Sequence, residues 1–257
     1  MMSFRRKHPR DIRKMRAAGQ LVARAFEMLE NNIRPGISLA ELDQLTEDFI
    51  LSNGASSIYK GYTGGNPNHP PFPGVICASV NDVICHGFPD EQILKDGDIV
   101  GIDIGLRLNG FCGDACVTFP VGNISAEVTR LLDIAKQCLN VGIEAAKPGG
   151  HLGDIGNAIE DYADTQGVTV VREWGGHGIG RDLHEPPSVS HNRSALLGPK
   201  LRPGMVFTIE PMINAGGHAW KLMPDQWTVK TKDGSLSAQF EHTIAIQKWG
   251  TEIMTVL

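Results

Sequence analysis

An internal repeat constrains the fold of this chain more than any other feature. Residues 11 to 33 place Ile12, Met15, Leu21, Val22, Ala25, Phe26, Leu29 and Ile33 mostly at helical spacing and stop at Arg34-Pro35-Gly36. A second helix opens on the capping box formed by Ser38 and Glu41 and closes at Asn53-Gly54. The same grammar returns over 125 to 146, Lys147-Pro148-Gly149, and a fourth helix ending at Gln166-Gly167. Pro35 and Pro148, Gly36 and Gly149, Leu39 and Leu152, Leu42 and Ile155, Gly54 and Gly167 are all 113 residues apart. Each half therefore reads helix, Pro-Gly turn, helix, then strands. An α+β fold of two pseudo-twofold halves, about 10–120 and 124–247, joined in a single catalytic domain over 1–257, is the expectation.

The first half ends in the alternating stretch VGIDIGLRLNGFCGDACVTF, with Asn109-Gly110 as a hairpin turn. A two-residue turn sets Leu108 against Phe111, so Asp103 and Asp114 share one face. In that register Asp114 opposes Gly105 and sits one diagonal step from Asp103, a backbone separation of roughly 7 Å that side chains can close. Two such carboxylates repel one another, so the face is either solvated or supplied with a proton, a cation or a metal.

The second half offers partners. His177 stands between glycines in GGHGIG, with His184 seven residues on, and MVFTIEPMI and SAQFEHTIAI embed Glu210 and Glu241 in strand-like runs. Taken singly, each histidine reads as a hydrogen-bonded core residue and each glutamate as an edge or solvent-facing residue. Together, four carboxylates and one neutral imidazole balance two divalent cations, and an oxygen-rich set favours Mn, Fe or Co, with Zn possible. Cys112 and Cys116 share the parity of Asp114, but thiolates suit other metals. Five cysteines with no C-x-x-C pair read as free thiols rather than as a disulfide framework or a structural zinc site.

Composition excludes some classes. A net charge of −5 gives no general nucleic-acid footprint, yet residues 1–16 carry seven Lys or Arg against Asp11 alone. That +6 segment is either a solvated helix face or a contact for an acidic partner such as RNA. No apolar run of signal-peptide length follows the basic start and no 18-residue apolar stretch occurs, so a cytoplasmic location without membrane contact is expected. Residues 61–74, GYTGGNPNHPPFPG, are too rich in Gly, Pro and Asn for a regular element and read as a rim or lid.

Seven motifs in order, CHGFP with His86, GIDIG with Asp103, GFCGD with Asp114, GGHGIG with His177, HEPP with His184, FTIEPM with Glu210 and WTVKTKDGSLSAQFEHT with Trp227 and Glu241, resemble type I methionine aminopeptidase from the first helix to about Ile246. The resemblance implies the duplicated pita-bread (creatinase/aminopeptidase-like) fold, an antiparallel sheet covered by helices. It also implies removal of an N-terminal methionine from nascent chains when the second residue is small, by attack of a hydroxide bridging two divalent metals. Asp103 would chelate one metal, Asp114 and Glu241 would bridge the two, and His177 and Glu210 would complete the second. Glu210 would also shuttle a proton, while His86 and His184 contact the substrate. Tyr62, Phe72, Cys77, Leu183 and Trp227 would form the methionine slot.

The chain departs from the family pattern at three points. The 61–74 loop is longer than in compact bacterial relatives, Leu183 replaces a frequent aromatic, and Gly105 and Ala115 stand where threonines are frequent. A proline-specific aminopeptidase of the same fold and a non-catalytic ribosome-associated module are the alternatives. The first usually carries a large extra N-terminal domain and the second loses ligands. A monomer, with ribosome contact through the basic N-terminal helix, completes the expectation.

Overall fold

The computed structural model describes residues 5–257. Helix α1 (Pro9–Glu30) begins with proline in its first turn behind the cap residue His8, and α2 (Leu39–Ser52) carries the expected reciprocal Ser38–Glu41 capping box. The first helix ends three residues before the expected limit because the Asn31 and Asn32 side chains donate back to the Glu27 and Met28 carbonyls, capping the final turn. In the second half α3 (Ala126–Ala145) follows the cap Ser125, and α4 (Gly153–Gln166) stops at Gly167. The repeated turns also match in backbone conformation. Gly36 and Gly149 have φ of +93° and +91°, and Gly54 and Gly167 both +70°, a left-handed backbone that favours glycine.

The strand Ile99–Leu108 is the spine of the first half. Phe111–Pro120 pairs with it along one edge, and Ile76–Val80 and the short Ser56–Ser57 pair along the other, all antiparallel. The hairpin has the expected register, with Leu108 opposite Phe111 and Gly105 opposite Asp114. In the second half, five antiparallel strands run in the order Thr251–Ile253, His242–Ile246, Val206–Ile209, Gly176–Gly178, Glu185–Val189. Two three-stranded sheets complete the fold, one of which pairs Val83–Cys85 from the first half with Val229–Thr231 from the second.

Each pair of helices covers its own apolar core. Leu21, Leu29, Leu42, Ile76 and Ile102 are fully buried under α1 and α2, and Ala135, Ile155, Ile159, Phe207 and Ile244 under α3 and α4. Hydrogen bonds stitch the halves together beside the hairpin. Thr118 Oγ1 donates to the Gln239 carbonyl at 2.7 Å, Glu241 N to the Cys116 carbonyl at 2.9 Å, and Thr243 Oγ1 to the Asp114 carbonyl at 2.7 Å. The strand bearing Asp114 is thereby aligned with the segment bearing Glu241. Among the described residues no helix is long and apolar enough to cross a membrane.

Candidate metal centre

The five residues expected to hold metal all line one cavity of about 730 Å³ between the halves. Asp103 and Asp114 come from the two arms of the hairpin, His177 from the Gly176–Gly178 strand, Glu210 from the end of Val206–Ile209, and Glu241 from the step into His242–Ile246. The glycines beside His177 allow strands to close around it. A Cβ at Gly176 would lie 2.2 Å from the Thr208 carbonyl oxygen, and one at Gly178 2.4 Å from that of Pro186. His177 N donates to Thr208 Oγ1 at 2.9 Å, and that hydroxyl donates to Glu210 Oε1 at 2.7 Å. One threonine thus fixes two members of the set.

Distances within the cluster are short. His177 Nε2 lies 3.5 Å from Asp114 Oδ2 and 3.6 Å from Glu210 Oε1, and ligand atoms of Asp114, His177 and Glu241 all lie within 4.8 Å of one another. Glu241 Oε1 is buried with no hydrogen-bond partner among the described residues. A buried carboxylate oxygen left without a donor is costly unless a cation meets it.

Titration follows from this crowding. Burial and the charge of Asp114 drive the Asp103 carboxyl well above its ordinary value, and burial with Asp114, Glu210 and Asp103 does the same to Glu241. Burial lifts Glu210 to about 7 against the opposing pull of His177 and Thr208. Burial pulls the His177 imidazole down, but the hydrogen bond to Asp114 and the charges of Glu210 and Asp114 outweigh it and carry it to about 9. Protons therefore occupy the place that cations would take. The donor set fits divalent metal: hard oxygen atoms in excess, one imidazole, and an orphan carboxylate oxygen facing the others.

The remaining expected residues surround this centre. His86 and His184 line the cavity, and burial holds both near 4, so both rings are neutral at neutral pH. The His184 ring packs edge-on against His177 with centroids 4.3 Å apart. Phe72, Cys77, Leu183 and Trp227 form one buried apolar cluster, and Tyr62 packs on its edge. Trp227 makes an edge-to-face contact with Phe72 at 5.4 Å, and its Nε1 donates to the Pro70 carbonyl at 2.8 Å.

Sequence reasoning missed Tyr59. It is a buried member of that cluster, and its hydroxyl hydrogen-bonds to Asp103 Oδ1 at 2.6 Å and to Asp114 Oδ1. Its ring fits because residue 105 is glycine: a Cβ there would lie 2.5 Å from Tyr59 Cε1. An unexplained glycine inside an apolar strand is the signal that could have pointed to it. His191 and Gln239 were missed as well. Glu210 N donates to His191 Nε2 at 3.2 Å, and Gln239 Nε2 stands 3.4 Å from Glu210 Oε2.

The basic N-terminal segment is only partly free. Lys7 forms an ion pair with Glu185, both side chains being about nine-tenths buried, and Arg16 pairs with Glu252, while Arg5, Arg6, Arg10, Arg13 and Lys14 are exposed. Residues 1–4 of that segment lie outside the described residues. All five cysteines are buried free thiols, and the Cys112 and Cys116 thiols lie 3.5 Å and 3.8 Å from the Arg181 and Gln239 carbonyls.

A two-half antiparallel fold with a carboxylate-rich centre at its junction defines a metal-dependent hydrolase of the pita-bread class. Comparison with known proteins agrees: the chain belongs to metallopeptidase family M24, whose pattern it matches over residues 13–248. It is 49% identical to methionine aminopeptidase 1 of Bacillus subtilis over 97% of this chain and 98% of that protein. It is 46% identical to the methionine aminopeptidase of Escherichia coli K12, over 99% of this chain and 95% of that one. The crystal structure of methionine aminopeptidase from Rickettsia prowazekii superposes with a TM-score of 0.93 at 41% identity, covering 99% of this chain and all of the other. An Xaa-Pro dipeptidase from Bacillus anthracis shares the fold, with a TM-score of 0.76 at 24% identity, and this chain spans 61% of its length.

Proposed function

We propose that the chain is a methionine aminopeptidase that removes the N-terminal methionine of nascent polypeptides in the cytoplasm when the next residue is small. Asp103, Asp114, His177, Glu210 and Glu241 would hold two divalent cations, with Mn, Fe, Co or Zn compatible with the donors. The observation that carries the reading is the meeting of this set with the apolar wall of Tyr59, Phe72, Cys77, Leu183 and Trp227 in one cavity. An unbranched thioether side chain suits an aromatic-lined slot.

When bound, the cations supply Lewis acidity and a lowered pKa for water. The chain's own groups do the rest. Glu210, whose carboxylate faces the cavity, can take a proton and return it to the leaving amine. His86 and His184, neutral on the cavity wall, can offer N–H groups to the scissile amide and its oxyanion. Burial of the aromatic wall excludes water from the slot.

Residues 1–257 act in this reading as one catalytic domain and as a monomer, since every member of the set comes from one chain. The five exposed basic residues on and before α1 support ribosome contact. Co-sedimentation with ribosomes should weaken when Arg5, Arg6, Arg13 and Lys14 are neutralised, and unchanged co-sedimentation would remove that contact. The function itself is tested by loading the protein with Mn or Co and comparing Met-Ala-Ser with Ala-Pro-Ala. Methionine release from the first is expected, and preference for the proline peptide would refute the assignment.

A further inference from the structure

Tyr62 lies at the start of the long loop, and its hydroxyl oxygen is 2.6 Å from Nδ1 of His184. The two rings pack at 5.6 Å between centroids, and the Tyr62 ring also leans on Trp227 at 6.3 Å. The loop backbone holds this pose. Tyr62 N donates to the Tyr59 carbonyl, Phe72 N to the Tyr62 carbonyl and Gly61 N to the Phe72 carbonyl, each at 2.8 Å. The phenol is thus set by a hydrogen-bonded scaffold rather than by an open tether.

A neutral imidazole has one N–H donor and one bare nitrogen acceptor, and which nitrogen carries the proton is set by the partner of the other. Among the described residues His184 Nδ1 is the only hydrogen-bond partner of the Tyr62 hydroxyl. A phenol, with a pKa of about 10, is a stronger hydrogen-bond acid than a neutral imidazole N–H. Donation therefore runs from the phenol to Nδ1. The proton of His184 then resides on Nε2, the atom left to meet the substrate.

We propose that Tyr62 is a positioning residue that donates to His184 Nδ1, locks the imidazole in its Nε2–H tautomer and aims that N–H into the cavity. This rests on the reading of His184 as a group that contacts the substrate. In that reading the other slot residues would meet the thioether, whereas Tyr62 acts through the histidine. Partners that orient metal-ligating histidines are worth roughly 10–100-fold in activity, and the phenol orients His184 by the same kind of contact. Without the phenol, both tautomers and several ring orientations become available.

The test uses the full-length zinc-loaded protein with ¹⁵N-labelled histidine, the His184 signals being identified by their loss in His184→Gln. In wild type, Nδ1 of His184 should resonate as a bare acceptor nitrogen and Nε2 as a protonated one. Tyr62→Phe keeps the ring against Trp227 and should bring the two shifts toward each other. In steady-state assays on Met-Ala-Ser, Tyr62→Phe should lower kcat about 10-fold with KM changed less than about twofold. In a His184→Gln background the same substitution should cost almost nothing further. A wild-type spectrum with the proton on Nδ1 overturns the proposal, as does an equal loss in both backgrounds, which marks a purely structural role. Wild type that shows the expected tautomer but releases no methionine refutes the assigned reaction, a result distinct from failure of the phenol contact.

Discussion

Replacing Glu241 by glutamine should reverse sign with metal. The carboxyl is buried, one of its oxygens has no partner among the described residues, and its proton affinity is raised by burial, Asp114, Glu210 and Asp103. An acid whose folded pKa exceeds its unfolded value, about 4.3 for glutamate, adds stability that is complete below the unfolded value and is lost as pH rises through the folded one. In EDTA the wild type should therefore lose stability relative to Glu241→Gln as pH rises from 5 to 8, and the variant should melt at the higher temperature.

Metal inverts the comparison. A cation at 100 times its Kd stabilises the folded wild type by about 2.7 kcal/mol. A chain of this size gains roughly 2–4 °C per kcal/mol, so Tm should rise by about 5–10 °C. If loss of one carboxylate ligand weakens binding about 100-fold, the same metal concentration stabilises the variant by only about 0.4 kcal/mol, roughly 1 °C. Thermal melts followed by circular dichroism, with EDTA or Mn²⁺ at several pH values, read both halves of the crossover. Equal metal-induced shifts in the two proteins would remove Glu241 from the ligand set. A variant less stable than wild type in EDTA at pH 8 would refute the electrostatic reasoning.

Three further outcomes follow from particular contacts. Gly105→Ala would put a Cβ 2.5 Å from Tyr59 Cε1 and 2.8 Å from Ile58 Cγ1, an overpacking expected to cost about 1–3 kcal/mol in chemical denaturation; an unchanged midpoint would show that Tyr59 is free to move. His69 packs edge-on against Trp227 at 4.4 Å, so His69→Ala should raise KM for Met-Ala-Ser by roughly 2- to 12-fold, the equivalent of a lost aromatic pair, with kcat little changed; a change confined to kcat would contradict this. Lys7→Met strands Glu185 in a largely buried position and should cost about 3–5 kcal/mol, part of it recovered by adding Glu185→Gln; urea unfolding of the single and double variants decides, and a double variant no better than Lys7→Met would rule out the stranded charge as the cause.

The parts of the site legible in the sequence are those set by local geometry. Asn109 and Gly110 adopt φ of +53° and +77°, the backbone that a two-residue turn between twisted strands requires, and this turn alone fixes Gly105 opposite Asp114. Most helix ends were legible for the same reason, because Ser38, Ser125, Gly54 and Gly167 act on the residues beside them, whereas the end of α1 was not. His177, Glu210 and Glu241 were legible as anomalies, polar groups in apolar runs that needed a partner. Where they would meet was not local information: alignment of Glu241 with Asp114 depends on hydrogen bonds spanning more than 100 residues of sequence. The supporting side chains were hidden altogether. Thr208 and Gln239 occupy ordinary strand positions, and nothing in their neighbours marks them as holding Glu210.

The long loop shows how such hidden contacts give function to an irregular segment. Its composition excludes helix and strand, and the structure has only turns and bends there. Irregularity keeps its backbone out of any ladder, and Pro70 offers its carbonyl to Trp227 Nε1 while His69 covers the indole. Just before it, Tyr59 crosses the gap left by Gly105 to reach both hairpin aspartates, and three residues later Tyr62 reaches His184. Residues 59 to 70 therefore touch Asp103 and Asp114, His184 and the Trp227 wall of the cavity. Gly105 and the tyrosine it admits are best understood as one feature. Asp103 takes a hydrogen bond from the Tyr59 phenol, so this contact depends on how the chain leading into the loop is seated.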